Sequence, residues 1–342
     1  MQSLNMSLLA KPFSHIYVER DIAQTSRVQA ILSRFPNATV IPVAHYKDVF
    51  CRTKQNTGIQ HMSQSLILAR KTGNLVYPGS PVCQNFGQHH FYYTSLCMNC
   101  PFDCQYCYLR GMYPSGHLVL FVNLEDYARE IEALLQEHPV YLCVSYDTEL
   151  CALESLHGYV RAFSEMVASH PELTVEVRTK TACNALLRSL KGSDRMIFAF
   201  TVSPEEVIRF EEKTPPLSAR LDAVREGLDL GHAVRLCFDP MIHIPGWKDA
   251  YRRMMDTVVS VLGEERMQKI RDFSIGSFRI SQDYLRALRR STASPVVQYP
   301  FVNVGGYYQY PPETAEKMEG WMTEMLEEAV DASRIFRWRD QV

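Results

Sequence analysis

The chain has 342 residues, 46% of them hydrophobic and 22% charged, with a formal charge of −2. The apolar share excludes disorder as the main state, and 16 Gly with 18 Pro are too few for a collagenous or low-complexity chain. The near-zero charge excludes only nucleic-acid binding by bulk positive charge, because a local basic groove is invisible in the sum.

Residues 1–20 lack a basic start followed by a long apolar run, so no secretory signal is expected and the cytoplasm is the default compartment. No stretch approaches about 18 uncharged apolar residues, so no membrane-spanning helix is expected. SRVQAILSRF (26–35) reads as a helix, and ATVIPVAHY (38–46) and SLILARK (65–71) as strands. Residues 1–90 are therefore expected to form an N-terminal α/β layer. From residue 91 strands and helices alternate. The strands are FYYTSL (91–96), VYLCVS (140–145), LTVEVRTK (173–180), RMIFAFTVS (195–203), AVRLCFDPMI (233–242) and DFSIGSFRI (272–280). The helices fall at 124–138, 154–170, 181–190, 216–231, 247–263 and 281–291. Such alternation predicts a parallel sheet with helices outside. Six units fit a partial (β/α)6 TIM-like barrel over 91–291 better than a closed barrel of eight. Residues 292–342 are expected to add a β-hairpin, turning at Val304-Gly305-Gly306, and an amphipathic helix at 313–333.

Four of the ten cysteines fall within one short loop, at Cys97, Cys100, Cys104 and Cys107. In a reducing compartment such a cluster points to metal rather than disulfides. Structural zinc sites usually pair two knuckles far apart in sequence, whereas Cys97–Cys100 and Cys104–Cys107 are separated by only three residues and no further knuckle appears elsewhere. Cys100-x₃-Cys104-x₂-Cys107 fits three corners of a [4Fe–4S] cluster, which leaves the fourth iron open for chemistry. Cys97 reads as a bystander thiol. In a barrel of this type the site lies at the C-terminal ends of the strands. Cys100, Ser145, Lys180, Thr201 and Asp239 all fall at or just after such ends.

The three-cysteine spacing after a first strand, with Tyr106 before the third cysteine, resembles the radical S-adenosylmethionine (SAM) enzymes. The run FYYTSLCMNCPFDCQYCYLRGMYPS, the RTK at 178–180, RFEEKTPPLSARLDA (209–223), CFDPMIHIPGW (237–247) and the tyrosine-rich hairpin at 294–311 together resemble the spore photoproduct lyase family. That resemblance implies a DNA repair lyase of a spore-forming bacterium, acting on 5-thyminyl-5,6-dihydrothymine. It implies that the reduced cluster cleaves SAM to a 5′-deoxyadenosyl radical, which takes hydrogen from C6 of the lesion. The methylene bridge then breaks to give two thymines, a protein thiol supplies a hydrogen, and tyrosines help return the radical to SAM. DNA carrying the thymine photodimer, and an electron donor such as flavodoxin or ferredoxin, are the implied partners of a monomer that binds no membrane. Two alternatives stand beside it: another radical SAM enzyme with a different substrate, and a non-enzymatic iron–sulfur or nucleic-acid-binding protein.

The resemblance also implies site residues. The better-known family members carry the donor cysteine three residues before an Asp on the second strand, where Val144 stands here, and others supply the thiol from a segment ahead of the cluster. Cys143 is adjacent, but neighbouring strand residues face opposite sides of a sheet. Cys83, ahead of the cluster, is the expected hydrogen donor. Tyr106 and Tyr108 are expected as radical relays or supports of the cluster pocket. Lys180 suits the SAM carboxylate as a point charge, with Ser145 and Thr201 as further contacts. Asp239 is expected near substrate. Arg286, Arg289 and Arg290 are candidate phosphate contacts. Tyr299, Tyr307, Tyr308 and Tyr310 are candidates for stacking on bases.

Overall fold

The computed structural model describes residues 13–80 and 83–338. The chain opens with strands β1 (His15–Glu19), β2 (Thr39–Val43), β3 (Leu66–Ala69), β4 (Val76–Pro78) and β5 (Phe91–Thr94). The short pieces β6 (Cys97–Met98) and β7 (Asp103–Cys104) follow, then β8 (Leu118–Phe121), β9 (Val140–Cys143), β10 (Leu173–Thr179) and β11 (Met196–Thr201). The remaining strands are β12 (Glu211–Glu212), β13 (Ala233–Met241), β14 (Asp272–Ser277), β15 (Arg279–Ser281), β16 (Val302–Val304), β17 (Tyr307–Gln309) and β18 (Ile335–Arg337).

The main sheet runs β18-β14-β13-β11-β10-β9-β5-β4, and every pair in it is parallel except β4 with β5. The six expected strands thus lie side by side in chain order. The sheet is open, with β4 and β18 as its edges. This is the partial barrel anticipated from the alternation. A second sheet, β2-β1-β3-β8-β6, is parallel apart from β6. Strands cross the boundary expected at residue 90 in both directions. Val76–Pro78 joins the main sheet, while β6 and β8 complete the N-terminal one. The C-terminal segment likewise returns to the barrel, because β18 pairs with β14.

Period-two alternation gives the barrel two faces. Val175, Val177, Phe198, Phe200, Val234 and Leu236 face outward and share one core with helix residues such as Phe163, Leu221 and Val224. Glu176, Arg235 and Asp272 face inward. There Arg235 is held between both carboxylates, and the Tyr141 hydroxyl donates to Glu176 at 2.6 Å. Phe86 lies over the guanidinium of Arg235, 3.2 Å from it to the ring centroid. This paired charge network fills the lumen beneath the C-terminal mouth. Buried charges are tolerated when they are paired in this way.

Three expected elements differ in detail. The helix over 154–170 is broken at Gly158 into Glu154–His157 and Tyr159–Ser169. The helix from Trp247 runs on to Lys269 past an irregular Gly263. The strand at 272–280 splits, and β15 leaves the barrel to pair antiparallel with β17. The hairpin between β16 and β17 turns on Gly305 and Gly306, with φ of 59° and 90°. Two positive φ values are what a tight two-residue hairpin turn needs. No helix among the described residues is long and apolar enough to cross a membrane.

Candidate active site

The cysteine loop is stitched in place from both sides. Asn99 turns the chain after β6 with φ 69°, and its Nδ2 donates to the carbonyls of Ser115 at 2.6 Å and His117 at 2.7 Å. Cys104 pairs with Glu211 in the β7–β12 ladder, and Gln105 N–H donates to the Phe210 carbonyl at 2.8 Å. The turn Leu109–Met112 then rests on helix Gln282–Ser291. Gly111 is needed there, because a Cβ would stand 2.2 Å from the Tyr284 carbonyl oxygen.

Cys100, Cys104 and Cys107 lie within electrostatic reach of one another, and none is in a disulfide. Burial pushes all three thiols up. A bound cation is what draws protons from such thiols. Among the described residues no group of three His, Cys, Asp or Glu side chains converges on a single metal ion. A cubane takes one thiolate per iron, so the three thiols of this loop suit a cluster. Cys97 is not beside them. It is 1% exposed, paired with Leu120, and packed in the hydrophobic core near Tyr127 and Tyr159.

Lys180, Glu211, Arg220 and Tyr106 form the wall beside this loop. Glu211 and Arg220 are both fully buried, with Nη2 to Oε2 at 2.5 Å. Arg220 also donates to the Thr201 carbonyl at 3.2 Å and to Thr214 Oγ1 at 2.8 Å. The Tyr106 hydroxyl donates to Glu211, as does Ser203 Oγ at 3.0 Å. Burial acts to lower the Lys180 pKa, but Glu211 and then Cys104 outweigh it and leave the ammonium above its ordinary value. A cation therefore persists beside the cysteines. The sequence reading passed over Glu211 and Arg220. An arginine one turn from both Leu217 and Val224, on the buried side of a helix, was the signal available.

A second group lies across the mouth. The Tyr146 side chain reaches the thiols of both Cys83 and Cys143. Burial pushes the Cys83 thiol up, and Arg178 pulls it partly back. The Tyr108 hydroxyl donates to the Tyr146 carbonyl, and the Tyr108 side chain is 38% exposed. Tyr106 and Tyr108 thus point to different walls. The expected facing of β9 is reversed. Val144 turns outward into the main core, whereas Cys143 turns inward with Cys83, Tyr93 and Tyr146. Parity with the inward Tyr141 fixes this.

Other expected residues take structural partners. Ser145 Oγ accepts the Arg178 N–H at 2.7 Å and so ties β9 to β10. Thr201 is buried, and its carbonyl serves Arg220. Asp239 accepts from Arg279 at 3.1 and 3.2 Å and lies 3.8 Å from Arg178. The three arginines divide. Arg286 and Arg290 are exposed on one helix face. Arg289 turns inward and donates to the carbonyls of Val297 and Tyr299, each at 2.8 Å. The tyrosines divide too. Tyr310 is fully buried, accepting the His243 N–H at 2.8 Å, and packs edge-on to Tyr299 at 4.8 Å. Tyr307 is 37% exposed, and Tyr308 lies opposite Asn303 on the hairpin.

An open parallel barrel with Cys-x₃-Cys-x₂-Cys at its mouth defines a radical SAM protein. The family model described as spore photoproduct lyase matches residues 89–336. The chain belongs to the spore photoproduct lyase family. A solved structure of a spore photoproduct lyase cysteine-to-alanine mutant with dinucleoside spore photoproduct is similar, with TM-score 0.81. The two share 17% identity over 96% of this chain and 99% of that one. A double mutant of that enzyme with bound AdoMet and dinucleoside spore photoproduct gives TM-score 0.80 at the same identity and coverage. No curated protein sequence matches the chain.

Proposed function

We propose that this chain is a radical SAM lyase that reverses spore photoproduct in DNA to two thymines. The carrying observation is the three-cysteine loop, set beside a buried cation at the mouth of a barrel of this family. When bound, a [4Fe–4S] cluster and SAM supply a carbon-centred radical that takes hydrogen from a C–H bond. Cys100, Cys104 and Cys107 would hold the cluster. Lys180 would pair with the SAM carboxylate as a point charge. The Glu211–Arg220 pair anchors the Tyr106 hydroxyl and fixes the wall behind the loop.

Cys83 would give the hydrogen that completes the second thymine. Cys83 is half-buried, and Tyr146, Arg178 and Arg279 stand near its thiol. The protein's remaining task is to orient the cofactor and lesion and to exclude water. Arg286, Arg290, Tyr307 and Tyr308 would meet the DNA, the arginines at phosphates and the tyrosines at bases. Asp239, tied to Arg279, would shape the lumen rather than bind phosphate. A small electron-transfer protein such as flavodoxin or ferredoxin would reduce the cluster.

The test is anaerobic. The chain is reconstituted with iron and sulfide, reduced, and given SAM with dinucleoside spore photoproduct. Mass spectrometry counts the thymine dinucleoside formed. Repair is the expected result. SAM cleavage that is indifferent to the lesion would overturn the substrate assignment. Absence of iron and of SAM cleavage would overturn the enzyme reading itself.

A further inference from the structure

Three tyrosines extend from the two inner thiols to the rim of the barrel. Tyr77 is the register partner of Tyr93 across β4 and β5, and Tyr93 is the partner of Cys143 across β5 and β9. Paired residues project from the same face of a sheet. The Tyr77 and Tyr93 rings are stacked, with centroids 5.3 Å apart and planes at 25°. Tyr146 lies against Tyr93 with centroids 5.7 Å apart, and its side chain reaches Cys83 and Cys143. Cys143 is 1% exposed, whereas Tyr93 and Tyr77 are half-buried and end at β4, an edge of the sheet. The row belongs to one face only. Tyr92, on the opposite side of β5, hydrogen-bonds His138 at 3.2 Å. Phenylalanine would cover as much apolar area at each place in the row. A phenol adds an O–H that can be oxidised and restored.

We propose that Tyr146, Tyr93 and Tyr77 carry an oxidising equivalent out of the lumen when a thiyl radical at Cys83 or Cys143 is not consumed by the repair cycle. The inference rests on the lyase reading, in which a thiol becomes a thiyl radical by giving its hydrogen to the substrate. In the first step the Tyr146 O–H bond breaks and an S–H bond forms. The hydrogen atom moves whole, so the thiol is restored and a tyrosyl radical remains. Tyr93 then gives one electron and its phenolic proton to Tyr146, and Tyr77 does the same for Tyr93. At the rim a soluble thiol gives its hydrogen atom to Tyr77 and departs as a thiyl radical. In this path the tyrosines act through the thiols.

Two experiments test the path. In the chain without iron, flash-generated ruthenium(III) tris-bipyridine oxidises groups at the surface. Peptide mass spectrometry then reads oxidation at the sealed Cys143. The expected result is Cys143 oxidation that is lost in Tyr93→Phe and Tyr77→Phe and kept in Tyr92→Phe. Equal oxidation in all four chains would overturn the path. In the loaded enzyme with dinucleoside spore photoproduct, freeze-quench electron paramagnetic resonance should show a tyrosyl signal that narrows with ring-deuterated tyrosine. Tyr93→Phe should end after fewer turnovers than Tyr92→Phe. An unchanged turnover number and signal would overturn the path while wild-type repair stands. If the wild-type chain does not repair, the lyase reading fails, and the ruthenium experiment still decides whether the tyrosines conduct.

Discussion

Glu211 and Arg220 face each other 2.5 Å apart, and neither side chain touches solvent. Glu211 sits in the short ladder that holds Cys104, and it also receives the Tyr106 hydroxyl. The pair therefore joins the cysteine loop to helix Leu217–Asp229. Arg220→Met would leave a buried carboxylate without its partner, a change that typically costs about 3–5 kcal/mol. Urea unfolding should show a loss of that order. A change within error would mean that the pair is not buried as described.

The cysteine loop makes a sharp distinction among thiols. Cys100→Ala, Cys104→Ala and Cys107→Ala should each lose bound iron and SAM cleavage. Cys97→Ala should keep both, because its side chain packs in the core away from the loop. Its cost should be the modest loss of a small buried group, read as a lower Tm. Iron analysis of the four variants decides the point.

Cys83 and Cys143 share Tyr146, so their roles are separable only by product analysis. Cys83→Ala should still cleave SAM but give less thymine and more misrepaired or adduct products. Normal thymine yield from that variant, with loss of yield in Cys143→Ala, would transfer the donor role to Cys143.

His157 is a source of acid sensitivity away from the site. Its Nδ1 accepts the Tyr159 N–H at 2.8 Å, which requires the neutral ring. Burial brings its pKa down from 6.5 to about 3. The folded value lies below the unfolded one, so the unfolded chain binds this proton first as pH falls. The stability from His157 is complete above 6.5 and is lost progressively towards 3. Replacing His157 with Phe should flatten the fall in unfolding free energy between pH 6.5 and pH 4. An unaltered slope would exclude His157 as its source.

Gly111 places the post-cluster turn against helix Gln282–Ser291, the helix that leads to the hairpin. Gly111→Ala would drive a Cβ into the Tyr284 carbonyl oxygen. Overpacking of this kind costs about 1–3 kcal/mol. The variant should melt earlier, whereas Gly320→Ala, with only an ordinary contact to Glu316, should not.

Local signals carried much of the architecture. The six inner strands, their order and the hairpin at Gly305-Gly306 are legible because alternation and turn chemistry are properties of short segments. Strands β1, β8 and β18 were not anticipated. Each is completed by pairing with a distant strand, and short apolar runs do not announce their partners. Strands cross the boundary expected at residue 90 for the same reason, since β4, β6 and β8 choose their sheets by long-range pairing.

By itself the amino-acid sequence determined the chemistry available here: three thiols at a fixed spacing, a lysine ending the third barrel strand, and a tyrosine-rich hairpin. Those depend on residue type and local spacing alone. Only the tertiary structure decided which groups serve that chemistry. It turned Cys143 inward and Val144 outward, drew Arg289 and Tyr310 into packing, and left Arg286, Arg290 and Tyr307 at the surface. It also set Arg220 against Glu211, nine residues away in the chain, and Tyr93 beside Cys143, fifty residues on. The reason is physical: a side chain's direction follows from which strand or helix packs beside it, and that choice is made by the whole buried core.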